Sequence, residues 1–320
     1  MEQSIKTMSD APEKLIIELQ KNIARVVLGK DDVIRLAVVA LLAGEHVLLE
    51  DVPGVGKTLM GKALAKSLSG EFHRIQFTPD LLPSDITGSS IFNSRTQEFS
   101  FSRGPIFANI ILADEINRAT PRTQSALLEA MSERQVSVDG HTNPLPRPFM
   151  VIATQNPAEF EGTYPLPESQ LDRFLLRIPV GYPARDVEMQ VLTSHREGEP
   201  VDALDPVLAS DQIVELQAAV RHVAVEDAIN HYVLDIVQAT RDCGDLHVGV
   251  SPRGALSLYR AAQAAALVAG RRYVVPDDVK NLAVPVLAHR VISKGYLHGG
   301  QREAIETLIE RLVEEVTVPG

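Results

Sequence analysis

A glycine-containing loop followed by a lysine and a threonine is the segment of this chain with the clearest chemistry. It runs from Asp51 to Thr58, directly after the apolar stretch Val47–Glu50. Successive backbone N–H groups of such a loop can point at one anion, and the next helix directs the positive end of its dipole there. Lys57 can then reach the β- and γ-phosphates of a nucleotide, and the Thr58 hydroxyl can bind Mg²⁺. We therefore predict a site for a nucleoside triphosphate and Mg²⁺.

The details of this loop support the prediction with one departure from the general P-loop pattern. Gly54 and Gly56 allow backbone conformations that a Cβ would disfavour. The usual first glycine of the pattern would fall at position 51, where the chain has Asp51. The alternative is a Gly/Pro turn that happens to carry a lysine, but the position between a strand and a helix favours phosphate binding. The predicted nucleotide-binding residues of the loop are Pro53, Gly54, Val55, Gly56, Lys57, Thr58 and Leu59.

An acidic pair follows a second apolar run. Asp114 and Glu115 come directly after Ile110–Ala113. Asp114 can hold Mg²⁺ through its water shell, and Glu115 can polarise the water that attacks the γ-phosphate. A solvated turn is the usual interpretation of two acids at a strand end, but the upstream loop favours the catalytic one, because parallel strands present their ligand sites at their carboxyl ends.

Two further polar residues fit the same chemistry. Asn156 ends the third apolar run, beside the acidic pair, where it can fix the attacking water or touch the γ-phosphate. An Asn-Pro turn without chemistry is the alternative for this residue. Arg173 ends the polar stretch that begins at Glu168, and a charged surface residue is the default interpretation when it is considered without the other motifs.

Composition limits the class of protein. The chain has 320 residues, of which 45% are apolar and 23% charged, so there is room for one large domain and a smaller one. Its net charge of −11 argues against nucleic-acid binding, which needs clustered Lys and Arg. The single Cys243 excludes an internal disulfide, and we expect neither a secretory signal nor a membrane span. A cytoplasmic location is therefore expected.

The apolar patterns predict an α/β fold with a parallel sheet covered on both faces. Two helices come one after the other before the first strand. Further along the chain, two hairpins interrupt the alternation of strands and helices. The predicted helices are Glu13–Val27 and Asp31–Ala43; the strands are Val47–Glu50, Phe72–Thr78, Ile110–Ala113 and Phe149–Thr154; the hairpins are Ser90–Phe101 and Gln135–Leu145. The hairpins are either ornaments or tips that contact a partner.

From Tyr182 onward helical patterns predict a second domain. Arg253 lies on the first turn of one of its helices, after the N-cap candidate Ser251 and Pro252. Its charge opposes the helix dipole there unless an anion such as a triphosphate is close. The alternative is an exposed arginine paired with Asp242 or Asp245. The predicted helices are Leu208–Val220, Ala228–Thr240, Pro252–Ala269 and Pro276–Leu287.

These residues together resemble the AAA+ ATPases, and more narrowly the MoxR family. The resemblance covers nearly the whole chain and includes the segments Ala113–Ala119 and Gly104–Phe107. It implies the following roles: Lys57 and Thr58 as Walker A, Asp114 and Glu115 as Walker B, Asn156 as sensor 1, Arg173 as arginine finger, Arg253 as sensor 2, and Val27, Leu28 and Gly29 as the segment beside the adenine. Asp51 is compatible with this family.

The resemblance also implies an architecture and a way of working. It implies a P-loop AAA+ parallel sheet flanked by helices, with a smaller C-terminal all-helical lid. The corresponding division is 1–28 for the N-terminal helix and adenine-side segment, 29–182 for the nucleotide-binding core and 183–320 for the lid. A homo-oligomeric ring, most often a hexamer, would hydrolyse ATP with Mg²⁺ at subunit junctions, with Arg118 or Arg122 as alternatives to Arg173 for the arginine supplied in trans.

The expected activity is chaperone-like remodelling of a protein client or of a von Willebrand factor A domain partner. Three alternatives remain at this point: the motor subunit of a metal chelatase, a nucleic-acid motor, and a nucleotide-gated binding module with little hydrolysis.

Overall fold

The computed structural model describes residues 11–50, 55–95, 97–156, 162–194, 199–295 and 301–319. The strands are β1 (Val47–Glu50), β2 (Leu68–Ser69), β3 (Phe72–Gln76), β4 (Gly88–Asn93), β5 (Glu98–Arg103), β6 (Ile110–Asp114), β7 (Gln135–Val138), β8 (His141–Pro144), β9 (Met150–Gln155), β10 (Leu176–Ile178), β11 (Leu208–Ala209), β12 (Leu246–Val248) and β13 (Ile292–Ser293). The α-helices are α1 (Pro12–Ala24), α2 (Asp31–Ala43), α3 (Lys57–Lys66), α4 (Pro83–Thr87), α5 (Pro121–Glu133), α6 (Glu168–Leu171), α7 (Arg185–Ser194), α8 (Ser210–Val220), α9 (Asp227–Asp242), α10 (Pro252–Val268), α11 (Pro276–Leu287) and α12 (Gln301–Glu315).

The central sheet has the order β10-β1-β9-β6-β3, and all neighbouring strands in it are parallel. Alternate residues of each strand point to opposite faces, so that Leu112 and Ile152 join one apolar cluster while Ile111 and Val151 join another. Because both faces are covered, the three central strands β1, β9 and β6 are mainly apolar and buried. The predicted parallel sheet is confirmed.

The helical part and the sheet share one apolar core. The helix α2 packs against α1, α8 and α10, and the same cluster of buried side chains continues from one face of the sheet through these helices. In α10, a run of buried alanines lies in this core: Ala261, Ala262, Ala264, Ala265 and Ala266. Alanine side chains let neighbouring helices approach closely, and α2 is one of the helices in contact with α10.

Several predicted boundaries are confirmed and others are wrong. α2 ends where predicted, because Gly44 adopts a left-handed conformation with φ of +72° and donates to the last helical carbonyls. Helix α1 was predicted to run to Val27 but ends at Ala24, since Val26 and Val27 form a buried turn after it. The strand β10 and the helices α7 and α12 were not predicted. The helix predicted from Leu208 begins at Ser210, because Leu208 and Ala209 pair with β2.

Both predicted hairpins are present. The strands β4 and β5 pair antiparallel, and the rings of Phe92 and Phe99 lie 5.2 Å apart on their exposed surface. The strands β7 and β8 meet at Asp139 and Gly140, which have φ values of +51° and +77°. Positive φ at both positions is what a tight two-residue hairpin turn requires.

Candidate active site

The carboxyl ends of three adjacent strands bring the predicted phosphate-binding residues together. Glu50 of β1 pairs with Gln155 of β9, and Ala113 of β6 pairs with Ala153. Gly56 has a φ of +93° and caps α3, so its backbone needs the freedom of a glycine. Buried Lys57 on the first turn of α3 donates from Nζ to the Gln155 carbonyl at 3.3 Å. Lys57 and the start of α3 therefore lie at the carboxyl end of β9.

Two other residues predicted to bind the nucleotide, Val55 and Leu59, lie within the described residues, whereas part of the loop does not. Asp51, Pro53 and Gly54 lie outside the described residues. Val55 and Leu59 are half-buried and pack against the main core.

Thr58 and Asp114 could hold a metal ion. The Thr58 hydroxyl lies 3.5 Å from Asp114 Oδ2. Adjacent ligands of an octahedral Mg²⁺ with bond lengths near 2.1 Å are roughly 3 Å apart, and both groups are oxygen donors of the kind Mg²⁺ takes. The pair thus fits Mg²⁺ in spacing and chemistry. Arg74 on β3 holds the same Oδ2 at 2.6 Å, so this ion pair neutralises the carboxylate in the structure.

Thr154 joins the two acids and was not singled out from sequence. Its hydroxyl is fully buried, donates to Asp114 Oδ1 at 2.6 Å and accepts from the Glu115 N–H at 2.8 Å. One side chain on β9 therefore fixes the rotamer of the first acid and the backbone of the second. A threonine in an apolar run carries no special sequence signal, since β-branched residues are common in strands.

Glu115 leaves the strand in an uncommon backbone conformation. It has φ of +57° and ψ of +51°, a region that costs a residue with a Cβ about 1 kcal/mol or more. Its Oε2 accepts from Gln76 Nε2 at 2.9 Å and lies 3.2 Å from Arg118 Nε. Asn156, just beyond β9, is buried and lies on the same edge of the sheet.

The predicted adenine-side segment lies against α7. Val27 is buried, Leu28 is half-buried and Gly29 is exposed. Gly29 has φ of +64°, and a Cβ there would lie 2.8 Å from Val187 Cγ2. The neighbouring Lys30 donates from Nζ to the Gly181 and Tyr182 carbonyls at 3.0 and 2.9 Å. This segment is therefore tied to the chain that follows β10.

Arg173 lies near the amino end of β1, at the opposite end of the strands from the predicted phosphate-binding residues. Leu175, two residues further along the chain, donates its N–H to the carbonyl of His46, the residue before β1. Arg173 itself donates from Nη1 to the Leu128 carbonyl at 2.9 Å and to the Ser132 hydroxyl, both on α5. The structure thus does not bring this arginine to the phosphate loop of its own chain.

Arg253 lies at that same end of the strands. Ser251 caps α10 through a hydrogen bond from the Gly254 N–H of 3.1 Å, as predicted. The carboxylate near Arg253 is Asp172, with Oδ2 3.5 Å from Nε, so the alternative pairing with Asp242 or Asp245 is wrong. Asp172 is distant in sequence, and no local spacing could indicate this contact.

Comparison with known proteins identifies the family. A profile described as "ATPase family associated with various cellular activities (AAA)" matches residues 46–176, and one described as "AAA lid domain" matches residues 238–312. The chain is 42% identical over 316 residues to Chaperone MoxR1 of Mycobacterium tuberculosis, covering 96% of this chain and 82% of that protein. The chain belongs to the MoxR family of AAA+ ATPases.

Two further similarities agree with this membership. The uncharacterized protein YeaC of Bacillus subtilis is 53% identical over 301 residues, covering 93% of each chain. The crystal structure of a Cytophaga hutchinsonii protein provisionally assigned as an ATPase superposes with a TM-score of 0.86 at 37% identity, covering 97% of this chain and 96% of that one. The predicted ATPase activity and the AAA+ fold with its lid are thereby confirmed.

A charged network in this MoxR-family protein lies at the strand end that leads into the phosphate loop. It was not predicted from the sequence. Glu50, the last residue of β1, is buried between Arg177 of β10 and Arg302 of α12. Arg302 Nη1 lies 3.4 Å from Glu50 Oε2 and 3.5 Å from the Glu50 carbonyl. Burial lowers the pKa of Arg177, and the charge of Glu50 opposes that effect. The last helix of the lid therefore contacts the strand end that leads into the loop.

In the described part of the chain, no helix is long and apolar enough to cross a membrane.

Proposed function

We propose that this AAA+ ATPase works as a homo-oligomeric ring, most simply a hexamer, that hydrolyses ATP at subunit junctions and remodels a protein client. The observation that carries the proposal concerns the two ends of the parallel strands. Lys57 lies at their carboxyl ends, and Arg173 lies at their amino ends. If Arg173 is the arginine that contacts the γ-phosphate, it must then be supplied by another subunit.

The residues at the carboxyl edge support binding and activation within one chain. Lys57 would hold the β- and γ-phosphates, and Asn156 would orient the attacking water. Thr58 and Asp114 are the residues that would hold Mg²⁺, which supplies charge neutralisation at the phosphates. Glu115 would accept the proton of that water once its contacts with Gln76 and Arg118 are released.

The dimensions of the sheet support the trans role of Arg173. Along β1, four residue steps separate His46, beside the Arg173 segment, from Glu50, which leads into the loop. At about 3.3 Å per residue this is roughly 13 Å, which is longer than an arginine side chain can bridge. The alternatives Arg118 and Arg122 fit less well. Arg118 contacts Glu115 of its own chain, and Arg122 lies on the first turn of α5, four residues further along.

The same geometry supports a trans role for Arg253. It is ion-paired with Asp172, the residue before Arg173, so both guanidinium groups lie on one edge. We propose that the two arginines reach the same neighbouring ATP, while Val27, Leu28 and Gly29 line the adenine within the chain that binds it.

An exposed apolar hairpin supports a protein client. Ile91, Phe92 and Phe99 of β4 and β5 are 54%, 51% and 71% exposed, although the chain is poor in aromatic residues. Phe92 and Phe99 pair on one face of the hairpin and Ile91 lies on the other. Exposed apolar side chains grouped in this way commonly mark interaction sites. We propose that this hairpin contacts the client or a von Willebrand factor A domain partner. The domain division, the cytoplasmic location and the lack of nucleic-acid binding stay predictions.

Subunit mixing tests the proposal. Arg173→Ala subunits keep an intact phosphate loop but lack the arginine, and Lys57→Ala subunits have a disabled loop but keep it. Each alone should hydrolyse ATP poorly, and a mixture should recover turnover, because an arginine in trans contributes on the order of 10³ to 10⁵ in rate. A mixture no more active than its components would contradict the trans assignment.

A further inference from the structure

We propose that Arg290 and Asp172 form a clamp that positions Arg173 and Arg253 as one unit toward the neighbouring subunit. This inference rests on the proposed function, in which both arginines act in trans.

Arg290 grips the segment that contains Arg173. It lies on a 3₁₀ turn, Ala288–Arg290, at the end of α11. Its Nε donates to Asp172 Oδ1 at 2.7 Å, Nη2 to the Phe174 carbonyl at 2.6 Å and Nη1 to the Leu175 carbonyl at 3.2 Å. One guanidinium thus binds three of the four residues in 172–175. The backbone on both sides of Arg173 is fixed by a residue of the lid.

The guanidinium of Arg290 that makes these hydrogen bonds is a buried charge. The side chain of Arg290 is only 2% exposed. Burial lowers its pKa to about 10, against the charge and hydrogen bond of Asp172 that raise it, so the guanidinium stays protonated at neutral pH. Apolar groups of similar volume are often as stable as a buried ion pair, so stability alone does not account for this choice. A planar group with five donors can bind several carbonyls and a carboxylate at once, which an apolar side chain cannot.

Asp172 extends the clamp to the second arginine. While Oδ1 accepts from Arg290, Oδ2 lies 3.5 Å from Nε of Arg253, which is 55% exposed. The start of α10 comes close at the same place, because a Cβ on Gly254 would lie 3.1 Å from Arg290 Cδ. The start of α10, the end of α11 and the segment before β10 therefore meet at one carboxylate. A shift of the lid would move Arg173 and Arg253 together.

The clamp predicts an asymmetry between the two roles of a subunit. A subunit that donates arginines to its neighbour needs Asp172, and a subunit that only receives them does not. Donors carry Lys57→Ala, with or without Asp172→Asn. Receivers carry Arg173→Ala, with or without Asp172→Asn. ATP turnover of each donor and receiver mixture is measured at fixed subunit concentration, with assembly checked by solution mass.

We expect Asp172→Asn in the donor to lower the recovered turnover tenfold or more, and the same change in the receiver to leave it within twofold. A matched control is Asp278→Asn in the donor, because Asp278 forms an equally close ion pair with Arg271 inside the lid, at 2.6 Å, away from this edge. The control should leave recovery unchanged. As a second variant, Arg290→Lys keeps the charge but loses the fork of donors, and it should repeat the asymmetry.

The possible outcomes separate the two proposals. No recovery in the unmodified mixture would refute arginine donation itself. Recovery that is unaffected by Asp172→Asn and Arg290→Lys donors would refute the clamp and leave donation standing. Equal losses in donor and receiver arms would also refute the clamp, because they would indicate a general structural role.

Discussion

The hydroxyl of Thr154 allows a sharp test of how the acidic pair is held. Substituting Thr154→Val keeps the shape of the side chain but removes the group that bridges Asp114 and Glu115. A hydrogen bond to a charged group contributes about 1.5–3 kcal/mol, and leaving a buried N–H without a partner costs about 1–3 kcal/mol. Since Arg74 still neutralises Asp114, we expect the free energy of unfolding to fall by about 3–4 kcal/mol.

Two measurements check this expectation. Urea unfolding without nucleotide gives the loss of stability, and ATP turnover as a function of Mg²⁺ concentration reports the placement of Asp114. We expect Thr154→Val to lower turnover at least tenfold and to raise the Mg²⁺ concentration needed for half-maximal rate. Thr154→Ser is the control, because it keeps the hydroxyl and loses one methyl group, at a cost of about 1 kcal/mol.

The result that would refute the reasoning is a valine variant that matches the serine variant. If the two unfold within about 0.5 kcal/mol of each other and share one Mg²⁺ dependence, the hydroxyl does not hold the acids in place.

Three further predictions concern other parts of the site. Glu115→Gln should still bind ATP, because the phosphate loop is intact, but should abolish turnover; normal hydrolysis in this variant would contradict its role as base. Arg302→Ala should raise the KM for ATP severalfold by freeing the strand end before the loop, whereas Arg311→Ala, farther along α12 and paired with exposed Asp245, should not; equal KM values would contradict the role of Arg302. Burial lowers the pKa of His46 to about 4. As the pH falls, His46 therefore becomes protonated in the unfolded state before it does so in the folded state, and the free energy of unfolding should fall by about 2 kcal/mol between pH 7 and pH 5. Urea unfolding of His46→Leu should show a free energy of unfolding that depends less steeply on pH. The same pH dependence in both proteins would contradict a buried neutral ring.

The segments that the sequence predicts well are those with strong local signals. The bounds of α2 and β1 are reproduced, because one ends at a glycine with positive φ and the other is a short apolar run before the phosphate loop. The acidic pair and Lys57 were predicted from the same kind of local signal, a strand end followed by polar residues. Chemistry at the carboxyl ends of parallel strands follows from topology once the strands are known.

What the sequence did not predict depends on contacts between distant residues. The strand β10 has only three residues and carries Arg177 in its middle, which breaks the apolar pattern although Glu50 neutralises the charge. Arg74 looks like a surface residue of an edge strand, yet it holds Asp114. The partner of Arg253 could not be chosen among the acids of the chain, because Asp172 approaches it only when the lid packs on the sheet.

The alanine-lined contact between α2 and α10 limits how this ATPase can change shape. Sheet and lid belong to one continuous apolar cluster, so a wide hinge opening would expose its interior to water. Uncovering about 1,000 Å² of apolar surface would cost on the order of 25 kcal/mol, more than the whole stability of a typical domain, about 5–15 kcal/mol. We therefore expect nucleotide-driven changes in this chain to be small sliding shifts between packed helices, and we expect the two parts to unfold in a single cooperative transition.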